Sequence, residues 1–266
     1  MAGAYPDLLE DLAAEHDALD RILSSLDPAA WDTPTPAEGW AVRDQVSHLA
    51  FFDEAGRRAA VDPDRFAAEV ADAADDLVGY VGAPLAKGRA LAGEEVLAWW
   101  RRARSALVDA MAGLDPKARF PWYGPPMSAM SFVTARLMET WAHGQDVVDA
   151  VGADRPATAR LRHVAHIGVR ARPFSYAVRG RDVPDGDVHV ALSPPDAGGA
   201  WTWGDPAVPD RVRGTALDFC LAVTQRRHVD DTELAIEGPL AQDWMAIAQA
   251  FASGPGTGRA PGQFPR

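Results

Sequence analysis

Helix-period apolar patterning runs through the first 155 residues and gives out at Pro156, and this switch restricts the possible folds more than anything else in the chain. Leu8, Leu12, Leu19, Ile22 and Leu26 predict an amphipathic helix from Pro6 to Leu26, stopped before Asp27-Pro28. Pro34, Pro36 and Gly39 make the stretch Trp31 to Trp40 a loop, with Trp40 as its anchor. A second helix is expected from Val42 to Ala60 and a third from Pro63 to Tyr80, followed by a loose segment from Gly82 to Gly93. Val96, Trp100, Ala103, Leu107, Met111 and Leu114 predict a further helix. The last long helix starts at a capping Ser128 or Ser131 and stops at Gly152. Residues 1–155 therefore read as a bundle of four main helices and one accessory helix.

Beyond Pro156 the signals alternate. Residues 158–171 read as a helix, and Asp187 to Leu192, Ala200 to Trp203, Asp210 to Gly214 and Glu233 to Glu237 read as strands. Residues 215–227 and the stretch Pro239 to Phe251 read as helices, which gives a small α/β domain over 156–253 and an α+β chain as a whole. Residues 254–266 are rich in glycine and proline and are expected to be disordered.

Composition narrows the function classes. A formal net charge of -12 disfavours attraction to nucleic acid or to an anionic membrane. The single cysteine, Cys220, excludes an intrachain disulfide framework and fits a reducing cytoplasm. No apolar run reaches the roughly 20 residues that span a bilayer, and the N-terminus lacks signal-peptide shape, so a cytoplasmic protein is expected.

The chemistry concentrates in three residues. Glu139 and His143 lie four positions apart on one helix, so they share a face, and His48 sits on another helix. Packed side by side, the two helices would offer two imidazoles and one carboxylate to a divalent metal with a coordination position left open. Taken singly, His48 equally suits a hydrogen-bonded core histidine, and Glu139 with His143 an exposed helix pair. The apolar neighbours Leu137, Met138 and Trp141 favour the metal, because a buried, unpaired carboxylate is costly. Asp146, one turn beyond His143, is a candidate acceptor to orient that imidazole or a general base. His16, on the apolar stripe of the first helix, and Cys220, between Phe219 and Leu221, read as core. His163 and His166 lack an evident third ligand. Arg170, Arg172, Arg179 and Arg181 with Tyr176 form a basic cluster that suits a solvated face or an anionic ligand.

Gly39-Trp40-Ala-Val-Arg-Asp-Gln-Val-Ser-His48-Leu, followed far downstream by Glu139-Thr-Trp-Ala-His143-Gly-Gln-Asp146-Val, resembles the DinB-like, mycothiol-dependent maleylpyruvate isomerase family of actinobacteria. The likeness covers nearly the whole chain. It implies an N-terminal DinB-like four-helix bundle that binds a divalent metal, usually zinc, through His48, Glu139 and His143. It also implies a small C-terminal α/β domain in which Arg226, or the adjacent Arg227, is an active-site arginine. Ala41 departs from the pattern, since relatives commonly place a capping Ser or Thr there. The segment Arg172-Pro-Phe-Ser-Tyr-Ala-Val-Arg-Gly180 looks like an uncharacterised metal-binding branch rather than the isomerase itself.

The resemblance implies a zinc- or other divalent-metal-dependent isomerase or S-transferase, with mycothiol or a similar small thiol as cosubstrate and a small electrophile as substrate. Two alternatives remain at this stage: a hydrolase in which the metal activates water, and a non-catalytic metal- or ligand-binding protein.

Overall fold

The computed structural model describes residues 4–73 and 76–264. The chain divides into two compact units, Met1–Arg155 and Pro156–Arg266. No described helix is long and apolar enough to cross a membrane.

The first unit is built on four long helices, α1 (Ala4–Ser24), α2 (Val42–Val61), α5 (Gly93–Ala112) and α6 (Ala129–Val151). Their apolar stripes meet in a closed core that includes Leu12, Leu19, Val46, Leu49, Trp100, Leu107 and Phe132. A close crossing of α2 and α6 depends on Gly56, where an added Cβ would come within 2.4 Å of the Phe132 ring. Ser128 caps α6 by accepting from the Ser131 amide, and Gly152, at φ 63°, ends it in the left-handed conformation.

Between α2 and α5 the structure departs from expectation. The single helix expected over 63–80 is two, α3 (Pro63–Asp72) and α4 (Leu77–Arg89), and residues 74 and 75 lie outside the described residues. The segment from Gly82, expected to be loose, belongs largely to α4. Asp76 caps α4 by accepting from the Gly79 amide, which suffices to start a helix in a stretch whose glycines blur the periodicity. A short hairpin of β1 (Arg119–Phe120) and β2 (Met127–Ser128) leads into α6; two residues per strand are too few for an alternation signal.

Behind the core apolar residues lies a buried ion pair. Asp53 of α2 accepts from Nε and Nη2 of Arg136 on α6, at 3.0 and 2.9 Å, and from the Trp100 indole of α5 at 3.1 Å. Burial raises the Asp53 carboxyl pKa, and Arg136 and Trp100 counter that rise. His16 of α1 is also buried, edge-on to Trp100 at 5.7 Å.

In the second unit a four-stranded sheet has the order β4-β3-β5-β6, formed by β3 (His189–Ser193), β4 (Trp201–Trp203), β5 (Arg211–Thr215) and β6 (Ala235–Glu237). β3 pairs with β5 in parallel and with β4 antiparallel; β6 pairs with β5 antiparallel. Helices α7 (Leu161–Arg170), α8 (Arg172–Ala177), α9 (Ala216–Val223) and α10 (Pro239–Met245) complete the unit. The tail expected to be disordered is instead bonded back. Arg179 Nη2 donates to the Gly256 carbonyl at 2.9 Å, and the Gly262 amide donates to Asp231 Oδ1 at 2.8 Å. Glycine-rich composition removes side-chain packing, but backbone donors and acceptors remain to be satisfied by the domain.

Two stability effects are expected. Asp53→Ala leaves the Arg136 guanidinium buried without its counter-charge and should cost about 3–5 kcal/mol in urea unfolding, whereas an Asp53→Leu, Arg136→Met double variant should lose much less. Burial, with Arg104 and Arg136 nearby, holds the His16 pKa well below its ordinary 6.5, so the folded chain keeps it neutral while the unfolded chain takes up a proton. Its contribution is therefore complete above pH 6.5 and is lost as pH falls below that value. His16→Leu should make the acid side of the stability profile shallower by up to about 1.4 kcal/mol per pH unit. An unchanged slope would show that His16 is not the group responsible.

Candidate metal centre

The loop before α2 sets up one side of the site. Trp31 is buried by a 3-10 turn over Pro28–Asp32, and the Thr35 amide donates to the Trp40 carbonyl at 2.7 Å, closing the loop on itself. Ala41 has no side chain to cap α2, but Asp44 accepts from the Ala41 amide at 2.9 Å, so the cap is made from within the first turn. Arg89 of α4 then forks onto Asp44 at 2.9 and 3.0 Å and donates to the Gly39 carbonyl at 3.0 Å. The missing cap residue is thus compensated, and the start of α2 is held in place.

One turn further along α2 comes His48, and across from it, on α6, come Glu139 and His143. Their ligand atoms all lie within 4.8 Å of one another. The imidazole rings of His48 and His143 are 4.4 Å apart, and His143 Nε2 is 3.2 Å from Glu139 Oε2. All three side chains are half-buried. Burial by itself would raise the Glu139 carboxyl, but the hydrogen bond and charge of His143, with Arg136 and His48 nearby, overcome it and hold the pKa down to about 2. Glu139 is therefore an anion at neutral pH and faces two imidazoles, a donor set that suits zinc and other borderline divalent ions. Among the described residues, no other group of three such side chains converges in this way.

The group that orients His143 was not anticipated from sequence. His143 Nδ1 donates to the amide oxygen of the fully buried Gln45 at 2.5 Å, and Gln45 Nε2 donates to Thr35 Oγ1 at 2.9 Å. With Nδ1 protonated against that oxygen, Nε2 is the nitrogen turned towards Glu139. Asp146, a candidate from sequence for orienting acceptor or general base, lies buried one turn beyond, and the acceptor bonded to Nδ1 is Gln45. The available clue was Gln45 lying one turn before His48 on the same helix, a weak one because glutamine is ordinary on helices.

The remaining candidates belong to the second unit. Arg226 belongs to the second unit, where Gln225 at φ 59° turns the chain out of α9 and the Arg226 amide closes the helix end on the Leu221 carbonyl at 2.8 Å. The Arg226 guanidinium lies over the Phe251 ring at 5.9 Å, and Arg227 lies over Phe264 at 4.0 Å. Cys220 is fully buried in α9, and burial pushes its thiol well above its ordinary pKa. His166 Nδ1 accepts from the Trp203 indole at 3.4 Å.

Gln45→Ala should weaken metal binding by about 10- to 100-fold in a competition titration with a chelator while the fold is retained; unchanged affinity would remove Gln45 from the site.

The sequence profile described as the mycothiol maleylpyruvate isomerase N-terminal domain matches residues 12–148. Uncharacterised proteins from two strains of Mycobacterium tuberculosis are each 43% identical over 249 residues, 94% of this chain and 96% of theirs. Crystal structures of a mycothiol-dependent maleylpyruvate isomerase and of a histidine-to-alanine variant of it superpose with TM-scores of 0.56 and 0.58, at 17% identity, over 88% of this chain and 95% of theirs. At that identity the likeness establishes the fold, an α+β chain with an N-terminal helical bundle and a small C-terminal α/β domain. By the profile match and the extent of the mycobacterial likeness, the chain belongs to the mycothiol maleylpyruvate isomerase N-terminal domain family.

Proposed function

We propose that this protein is a divalent-metal-dependent enzyme, with zinc as the metal, that uses a low-molecular-weight thiol such as mycothiol to act as isomerase or S-transferase on a small electrophilic substrate. The observation that carries this reading is the convergence of His48, Glu139 and His143 within 4.8 Å on two packed helices. Three protein donors leave a position for a small molecule, as catalytic sites do and structural sites do not. A divalent ion held there supplies positive charge that lowers the pKa of a thiol brought to it, so that sulfur is available as a nucleophile at neutral pH.

The chain's residues prepare that position. Glu139, already ionised, offers a donor that need not lose a proton. Gln45 holds a proton on His143 Nδ1, so Nε2, which faces Glu139, is the nitrogen that would give up its proton and bind the metal. Trp40 lies nearly parallel to the His143 ring, with centroids 5.9 Å apart and planes 18° apart. Cys220 is fully buried and its thiol is pushed above its ordinary pKa, which favours a thiol from solution as the nucleophile. In this reading Asp146 accepts a proton during the reaction, and Arg226 or its neighbour Arg227 pairs with a carboxylate of the substrate.

Elemental analysis of purified protein should find close to one equivalent of metal, lost in His48→Ala and in His143→Ala and kept in Cys220→Ser. Metal retained by both histidine variants would reject the site. Mycothiol should raise the melting temperature of the metal-loaded protein, by about 2.7 kcal/mol of stabilisation at a hundredfold excess over Kd, and leave the metal-free protein unchanged. Stoichiometric metal with no thiol effect would reject the thiol chemistry while leaving the metal centre standing.

A further inference from the structure

The two histidines of the proposed metal centre are the start of a continuous run of aromatic rings. Phe52, one turn along α2 from His48, has its ring 4.5 Å from that imidazole. The Tyr123 ring lies 5.6 Å from Phe52 and the Trp122 ring 6.1 Å from it. Both come from the connection between β1 and β2. Trp122 is fixed from behind, stacked on Phe66 at 5.8 Å with the rings 14° apart and edge-on to Phe132 at 4.8 Å. Phe66 and Phe132 are closed in the core, whereas Phe52, Trp122 and Tyr123 are only half-buried. A wall with a rigid backing and partly open faces therefore begins at the ligand His48.

Two of the cations beside this wall are already paired with carboxylates. Arg136 forks onto Asp53, and Arg58, the cation acting on Tyr123, is bonded to Glu69 at 3.2 Å. Binding a carboxylate to Arg58 or Arg136 would require breaking its pair, while an apolar body would gain ring contact without that cost.

We propose that Phe52, Trp122 and Tyr123 form a specificity wall beside the metal centre, which selects an electrophile with a flat apolar or aromatic body over a small dianion. This rests on the proposed metal centre and adds the class of substrate it takes. With the thiol sulfur at the open coordination position, the reacting carbon would lie beside that sulfur and the body of the substrate would extend along the rings from Phe52.

Hydroxamates test this without knowledge of the substrate, because acetohydroxamate and benzohydroxamate present the same metal-binding group and differ in the ring. Dissociation constants would be measured by calorimetry on protein carrying one equivalent of zinc and on metal-free protein, with maleate as the small dianion. Benzohydroxamate should bind at least about tenfold more tightly than acetohydroxamate, and maleate more weakly than benzohydroxamate. Phe52→Leu, checked for retained zinc, should cut the preference to about threefold or less while acetohydroxamate stays within about twofold of the parent. Equal binding of the two hydroxamates by the parent protein, or maleate as the tightest ligand, would overturn the proposal. So would a benzohydroxamate preference that persists in the metal-free protein, since the wall would then act apart from the metal. Failure of acetohydroxamate to bind in a zinc-dependent way would instead reject the metal centre beneath it. The parent comparison alone decides the matter if Phe52→Leu does not fold.

Discussion

The buried pair of Asp53 and Arg136 is the contact on which the site depends. It joins α2 to α6 in the interior of the first unit, with the Trp100 indole bringing α5 to the same carboxylate. Burying two charges is expensive, and the cost is met only when the guanidinium and carboxylate align, so the pair tolerates little sliding of one helix along the other. His48 lies five residues before Asp53, and Glu139 lies three after Arg136. The register that satisfies the ion pair is therefore the register that places the imidazole of one helix opposite the carboxylate and imidazole of the other.

A second set of bonds fixes the rotation of the side chains. From the loop before α2, Thr35 bonds to Gln45, and Gln45 to His143, so the geometry of an irregular segment reaches an imidazole on α6. Arg89 reinforces the same segment by bonding both Asp44 and the Gly39 carbonyl. The helix α4 that carries Arg89 thereby acquires a purpose beyond covering the bundle. Loop and accessory helix together hold the donors ready, which limits the reorganisation a metal ion would demand on binding.

Much of this was legible in the residue pattern. Regular apolar spacing located α1 and α5 nearly to their ends, the loop before Val42 and the residues Ser128 and Gly152 marked α2 and α6, and the short alternating runs after Pro156 predicted the strands that form the four-stranded sheet. Glu139 and His143 could be read as partners because helical geometry alone places residues four apart on one face. The split between α3 and α4 and the docking of the tail escaped such reading. They rest on a single capping aspartate and on backbone bonds to distant side chains, neither of which leaves a periodic trace.

Local patterning was thus enough for the helices, the class of fold and the shared face of Glu139 and His143 on α6, because each follows from steric and apolar preferences within a few turns of chain. The approach of His48 to that pair, the choice of Gln45 over Asp146 as its orienting acceptor and the run of rings from Phe52 to Trp122 came from packing between segments remote in sequence. Such contacts are selected by the geometry of a buried ion pair and by the close crossing at Gly56, and no short-range rule records which distant residue will be found on the other side.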